Sequence, residues 1–393
     1  MNTSSFRLAN RFVDVKSSPV RDILAVVGRE DIISFAGGIP DAELFEAADF
    51  AAAFDAVLSQ QAARALQYAT TQGEPELREL LAARLSRQLP TTADQIQVTS
   101  GSQEGLFLAG MALVDPGDVV LVEQPTYLAA VQAFSLAGAR LVSVPSDDHG
   151  VLPEALAAAI AEHAPKFVYL VPNFQNPTGR TMPASRREQV ADILLRTRTP
   201  LLEDDPYGAL RFDGEPVPPI ASLPGMAAQT VLQNSASKIM APGVRIGWLR
   251  AEGDILRALE IGKQAVGLQS AVTDQLAVAH YLANCDLDAH IARVTSAYRV
   301  RRDAMVDGLR AVLPAGAEVN RPEGGMFLWV RLGGAVDTAE ALPRALAAGV
   351  AYVPGWPFYA AEPDHSTMRL SYVTNTPEVI AEGLARLARA FGW

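Results

Sequence analysis

The chain is poor in the residues that staple, ligate or anchor proteins. Its single cysteine, Cys285, excludes an internal disulfide and fits a reducing, cytoplasmic setting. No neighbouring pattern activates that thiol, so Cys285 reads as a small buried or half-buried side chain rather than a nucleophile. The five histidines show no metal-ligand spacing, and metal chemistry is not expected. Basic residues are outnumbered, 33 against 44 acidic ones, for a net charge of −11. That balance disfavours a general nucleic-acid or anionic-membrane surface. No uninterrupted apolar run reaches spanning length, and the Met1–Arg7 stretch lacks the apolar core of a secretory signal. Charge blocks, low-complexity tracts and short repeats are missing as well. What is present is the composition of a packed enzyme-sized protein, 49% hydrophobic and 20% charged over 393 residues, long enough for two lobes.

The middle of the chain alternates. Strand-like segments at 96–99, 119–123, 140–144, 167–171 and 200–203 are interleaved with helix-like ones opening at 101 and spanning 127–137, 153–163 and 183–195. Strands at 230–233 and 246–249 close the series. Apolar strands in strand–helix–strand order predict an α/β fold with a mostly parallel, doubly wound mixed sheet covered on both faces. Ahead of it, Ser17-Ser18-Pro19 predicts a helix start, with Arg21 near its beginning. A strand at 32–35 then breaks at Ala36-Gly37-Gly38, and helices at 47–59 and 74–88 flank the loop 67–73. Past residue 251 come helices at 252–267, 273–282 and 286–313, strands at 326–330 and 368–372, and helices at 338–348 and from Pro377 onward. These predict a smaller α+β domain. The expected division is residues 1–40 as an N-terminal segment joining the small domain, 41–285 as the large domain and 286–393 as the small one.

In an open α/β sheet, ligands sit outside the carboxyl ends of the strands. Five polar clusters follow strands here: Gly101-Ser102-Gln103, Pro125-Thr126-Tyr127, Asn173 to Gly179, Asp204 to Tyr207, and Ser235 to Lys238. Each alone is ordinary loop chemistry; five on one predicted edge make a pocket. Gly101-Ser102-Gln103 opens a helix and is either a plain cap or, with its free N–H groups, a phosphate site. Ser235 and Ser237 alternate before Lys238, and Arg245 follows seven residues later. Singly they are a polar turn with a surface arginine; together they suit a phosphate dianion with an amine beside it. Asn176 belongs either to a simple Asn-Pro turn or to the pocket as an amide donor. Glu203-Asp204-Asp205 reads as a solvated loop, as a carboxylate metal site, or as a place where Asp204 pairs with a protonated heterocyclic nitrogen. Tyr207 follows in reach of the same space. Tyr127 is a core aromatic or a stacking platform for a planar ring, and Tyr68 a loop tyrosine. Arg369, opposite in alternation to Met368 and Leu370, is an edge-strand arginine facing water or a bidentate carboxylate clamp. Lysines are usually solvated, but an amine at a strand end beside an anion cup has the setting of a Schiff-base lysine.

In this order the motifs resemble the fold type I, aspartate-aminotransferase-like pyridoxal-phosphate enzymes. Within them the chain is similar to the α-aminoadipate and aromatic amino acid aminotransferase group. The similarity runs from Ser34-Phe35-Ala36-Gly37-Gly38 through Gln67-Tyr68, Gly101-Ser102-Gln103, Asn176-Pro177-Thr178-Gly179, Asp204 to Tyr207 and Ser235 to Arg245, to Tyr352-Val353-Pro354-Gly355 and Met368-Arg369-Leu370-Ser371. It implies a two-stage transamination between amino acids and 2-oxo acids, with glutamate and 2-oxoglutarate as one pair. Lys238 would hold pyridoxal 5'-phosphate and shuttle the substrate proton. Asp204 would keep the ring nitrogen protonated, Asn176 and Tyr207 would bond the ring hydroxyl, and Tyr127 would stack on the ring. Gly101, Ser102, Gln103, Ser235, Ser237 and Arg245 would hold the phosphate, joined by Tyr68 from a neighbouring subunit, which implies a homodimer with shared sites. Arg369 and Asn176 would bind the substrate carboxylate and Gly38 would line its side; Arg21 matches a position that meets an acidic side chain. Asp205-Pro206 departs from the pattern, where alanine is common before the tyrosine.

Lyase, decarboxylase or racemase chemistry on the same scaffold is the alternative, since the cofactor-holding residues are shared. An effector-binding module behind a DNA reader is disfavoured by the few dozen residues ahead of Gly37 and the lack of basic surplus.

Overall fold

The computed structural model describes residues 9–12, 31–334 and 336–393. The expected helix at Ser17 and its Arg21 lie outside the described residues.

In chain order the strands are β1 (Ile33–Ser34), β2 (Ile96–Thr99), β3 (Val119–Gln124), β4 (Arg140–Asp147), β5 (Gly150–Val151), β6 (Phe167–Leu170), β7 (Leu201–Asp204), β8 (Thr230–Ser235) and β9 (Gly247–Arg250). They continue with β10 (Glu318–Val319), β11 (Phe327–Arg331), β12 (Val350–Ala351), β13 (Val353–Pro354) and β14 (Thr367–Ser371). Eight form one sheet in the order β2-β9-β8-β7-β6-β3-β4-β5. The run from β8 through β7, β6 and β3 to β4 is parallel, while β9 runs antiparallel between β8 and β2. β2, β3, β6, β7 and β8 therefore deliver their carboxyl ends to one edge, and β9 begins there.

Period-2 alternation sorts each strand's side chains into two cores. Val120, Val122, Phe167 and Tyr169 pack with Leu106, Phe134 and Leu259 from helices Ser102–Leu113, Leu128–Ala137 and Gly253–Gly267. Their sequence neighbours Val119, Leu121, Val168 and Leu170 pack with Leu156, Ile160, Val190 and Leu194 from helices Pro153–His163 and Ala184–Thr197. Burial on both faces is why these strands read as continuous apolar runs. The same alternation places Asp204 on the face of Tyr169, and Glu203 on the opposite one. There Glu203 accepts the Ile220 and Ala221 N–H groups at 2.8 and 2.9 Å.

The C-terminal part carries a four-stranded antiparallel sheet, β10-β11-β14-β13, beside helices Leu287–Val312, Thr338–Ala347 and Pro377–Phe391. β1 pairs in parallel with β12, and the Ser371 N–H donates to the Phe35 carbonyl at 2.7 Å. The segment around Ala36 is thereby stitched to the C-terminal sheets and carried to the edge of the large one. β14 is flanked by β11 and β13 and all five of its residues are buried. The water-facing edge arginine considered for Arg369 is thus corrected: two neighbouring strands and two aromatic rings enclose it. Among the described residues no helix is long and apolar enough to cross a membrane.

Candidate active site

At the shared edge lies a cavity of about 290 Å³. It is lined from one side by Ser102, Gln103, Ser235, Ser237, Lys238 and Arg245, and from the other by Gly38, Tyr127, Asn176, Asp204, Tyr207 and Arg369. These residues come from the ends of β2, β3, β6, β7 and β8 and from β14, so the fold gathers what the sequence scatters. Tyr68 is not among them; it is 78% exposed on the surface of its own chain.

β8 ends at Ser235, and the chain turns so that the Met240 N–H donates to the Ala236 carbonyl at 2.8 Å. That turn lifts Lys238 into the cavity, where its Nζ donates to the Gly38 carbonyl at 2.8 Å. Burial, reinforced by the Arg369 and Arg245 charges, lowers its amine to about 8. A neutral, nucleophilic fraction is therefore present near pH 8. Capture of pyridoxal phosphate by the cofactor-free protein should accelerate as pH rises, with an inflection near 8. Stopped-flow absorbance across pH 6–10 would check this; an inflection close to the ordinary lysine value of 10.5 would not fit.

Asp204 ends β7, buried on the floor of the cavity. Tyr169 donates its hydroxyl proton to Oδ2 at 2.9 Å, while Oδ1 is buried with no hydrogen bond among the described residues. Burial pushes this carboxyl up to about 6 against the pull of the neighbouring Gln233 amide and of the Tyr169 hydrogen bond. An orphaned acceptor on a cavity floor is costly unless a donor completes it, and a cationic ring N–H is the donor it suits. The neighbouring carboxylates have other tasks: Glu203 holds the 220–221 turn, and Asp205 accepts from Asn173 Nδ2 at 3.0 Å and Gly208 N–H at 2.9 Å. Asp205-Pro206 in place of a small residue is thus absorbed by contacts on the far side of the strand end. Burial raises the Tyr207 phenol well above its usual range, so it acts as a neutral hydrogen-bonding group.

The anion cup is built on Gly101, which caps helix Ser102–Leu113 with φ +84°. A Cβ there would lie 2.3 Å from Arg245 Nη2, so conformation and space both require glycine. Arg245, itself left-handed at φ +49°, donates to the Ser100 carbonyl at 3.0 Å and the Pro242 carbonyl at 3.2 Å. The Ser237 N–H donates to Ser235 Oγ at 3.1 Å, holding both hydroxyls at the cavity. A helix N-terminus, two hydroxyls and a guanidinium converge as a phosphate requires. Gly101→Ala should displace Arg245 and weaken pyridoxal phosphate binding by roughly tenfold, a cost of about 1.4 kcal/mol for a side chain forced to φ > 0. Absorbance titration of the cofactor-free protein would read it.

On the third wall, Arg369 Nη1 donates to Asn176 Oδ1 at 2.8 Å and Nη2 to the Ala36 carbonyl at 2.9 Å, while Nε is buried without a partner among the described residues. Its guanidinium lies 4.3 Å from the centre of the Phe327 ring and 5.1 Å from that of Phe358. Cation–π contact offsets part of the desolvation, which still lowers the group to about 10. Spare N–H donors on a rigid guanidinium suit a carboxylate. At Gly38, a Cβ would lie 2.9 Å from Phe327 Cζ, so glycine gives that ring its place over Arg369.

Tyr169, Phe327 and Phe358 escape the sequence reading. Each sits in an apolar run where an aromatic looks like core, and only the folded contacts reveal its function: Tyr169 hydrogen-bonds Asp204, and Phe327 and Phe358 flank the Arg369 guanidinium.

The cavity suits pyridoxal phosphate, and similarity to known proteins narrows the enzyme to a transaminase. The chain belongs to the family described as aminotransferase class I and II, whose model matches residues 30–387. An aromatic-amino-acid aminotransferase 1 from Thermococcus litoralis is 40% identical over 387 residues, covering 97% of this chain and 93% of that one. A 2-aminoadipate transaminase from Thermus thermophilus is 35% identical, covering 96% and 94%. A kynurenine aminotransferase from Pyrococcus horikoshii, solved in complex with PMP, superimposes with a TM-score of 0.93 at 38% identity, covering 98% of this chain and 96% of that one.

Proposed function

We propose that the enzyme moves the α-amino group of an aromatic amino acid or 2-aminoadipate to 2-oxoglutarate, forming glutamate. The observation that carries this reading is one cavity holding Lys238, the unpartnered Asp204 Oδ1 and the unpartnered Arg369 Nε. The donor classes rest on the names of the similar proteins from Thermococcus litoralis and Thermus thermophilus.

Ser102, Gln103, Ser235, Ser237 and Arg245, with the Gly101 backbone, would hold the cofactor phosphate. Asp204 would accept the ring N–H and keep that nitrogen protonated. Asn176 and Tyr207 would bond the ring hydroxyl, and Tyr127 would stack on the ring. Bound pyridoxal phosphate supplies the electron sink for charge developing at the substrate α-carbon. Arg369, steadied by Asn176, would grip the α-carboxylate, and the Lys238 amine would take the proton from the α-carbon and deliver it to the cofactor's C4′ carbon. Gly38 would leave room on the substrate side, and the resemblance to α-aminoadipate enzymes assigns Arg21 to the side-chain carboxylate of acidic substrates. Arg369→Lys keeps charge but loses the planar fork; kcat/KM should fall by about 10- to 100-fold, chiefly through KM, the size of one charge-assisted hydrogen bond or two.

The chain divides into an N-terminal segment (1–40), a cofactor-binding domain (41–285) and a small domain (286–393). It works in the cytoplasm as a homodimer, in which Tyr68, exposed beside Leu66, reaches the phosphate held by the second copy. The testing experiment offers single amino donors with 2-oxoglutarate and measures glutamate. Turnover with aromatic donors or 2-aminoadipate is expected. Glutamate formation confined to unrelated donors, or ammonia and pyruvate released in its place, would overturn the reading.

A further inference from the structure

Beneath the anion cup lies a buried ion pair that the site as described does not use. Lys263, on helix Gly253–Gly267, has no solvent exposure. Its Nζ donates to Glu104 Oε2 at 2.8 Å and to Ser270 Oγ at 3.1 Å. Glu104 stands in the first turn of the helix that Gly101 caps, with its side chain 13% exposed. The same Glu104 oxygen accepts the Ser100 N–H at 2.6 Å. Ser100 is held twice more, through its carbonyl by Arg245 Nη2 at 3.0 Å and through its hydroxyl by Ser270 Oγ at 3.3 Å. The residue that leads into the cup is therefore fixed on its N–H, its carbonyl and its side chain.

A carboxylate in the first turn is favoured by the helix dipole, but a phosphate dianion at the same terminus draws on that same positive end. Two anions there repel unless one is neutralised, and in a buried setting that repulsion is poorly screened. Lys263 is the cation placed to do it. We propose that Lys263 is a positioning residue for the cofactor phosphate: it cancels the charge of Glu104, leaving that carboxylate to fix Ser100 while the helix start faces the phosphate alone. The inference rests on the phosphate assignment made above.

The test compares dissociation constants of pyridoxal phosphate and of pyridoxal, which lacks the phosphate, on the cofactor-free full chain by absorbance titration. In Lys263→Met the uncompensated carboxylate should weaken pyridoxal phosphate by about tenfold or more and pyridoxal by no more than about threefold. The double variant Lys263→Met/Glu104→Gln loses both charges but keeps an acceptor for the Ser100 N–H, so it should return to within about threefold of the parent. Unchanged phosphate-ester binding in Lys263→Met, an equal loss for both ligands, or a double variant as weak as the single one would overturn the proposal. If Lys263→Met fails to fold, Glu104→Gln and the double variant decide: both should bind pyridoxal phosphate within about threefold of the parent or tighter, and a tenfold loss in either overturns it. Arg245→Ala, run alongside, should lower the preference for pyridoxal phosphate over pyridoxal. An unchanged preference there would mean that the phosphate sits elsewhere, and the Lys263 inference falls with the cup assignment.

Discussion

Lys238→Ala should reduce transamination by about four orders of magnitude or more, the upper range for removing a positioned proton-transfer group. Among the described residues no second amine lines the cavity: Arg245 and Arg369 are its other cations, and guanidinium groups stay protonated. The amine that is lost sits 2.8 Å from the Gly38 carbonyl and is lowered by burial to about 8, the two properties that let it both bind the cofactor and exchange a proton. Steady-state kinetics with and without methylamine would check the expectation. Small free amines should restore a minor part of the rate, because the cavity and its other groups remain. Activity within tenfold of the parent enzyme would contradict the role of this lysine.

Asp204→Asn should lower kcat by roughly 150- to 5,000-fold, the equivalent of the roughly 3–5 kcal/mol of a buried charge pair broken on one side. The amide keeps the size of the carboxyl group and can still accept from Tyr169, but it cannot hold a ring nitrogen protonated. The cofactor-free protein should respond in the opposite sense. There the Asp204 carboxyl titrates at about 6 against 3.8 unperturbed, so between those values the folded state keeps a proton that the unfolded state has released. Stability of the cofactor-free chain therefore falls as pH rises through that window. Asp204→Asn should remove this component of the pH dependence and leave the cofactor-free protein as stable or more so at pH 7. Calorimetry from pH 4 to 7 on both proteins, with kcat measured on the loaded ones, tests both halves. A variant that loses stability and activity together would point to a structural part only.

The sequence exposes the groups that break local rules and hides those that obey them. Lys238 after two alternate serines, Arg245 past a Pro-Gly turn and carboxylates after an apolar strand all conflict with a packed α/β edge, so they stand out. Strands β3, β6 and β7 are legible because burial on both faces leaves apolar runs. Two-residue strands such as β12 and β13 are too short for any periodicity. Tyr169 and Phe327 conform to apolar strands, and their tasks arise only when pairing sets them beside Asp204 and Arg369. Arg369 is legible as a candidate but not its burial, since β14 alternates polar and apolar side chains and yet has no exposed face. Lys263 and Glu104 lie 159 positions apart on different helices, and nothing local in either helix announces their pairing.

The most direct measurement is a single turnover of the loaded enzyme with one aromatic amino acid and no 2-oxo acid, followed by visible absorbance and mass spectrometry. Transamination requires loss of the original cofactor band, one equivalent of the corresponding 2-oxo acid per site, and retention of the amine on the enzyme until 2-oxoglutarate is added. Release of carbon dioxide or ammonia in that first half, with the cofactor band unchanged at the end, would contradict it.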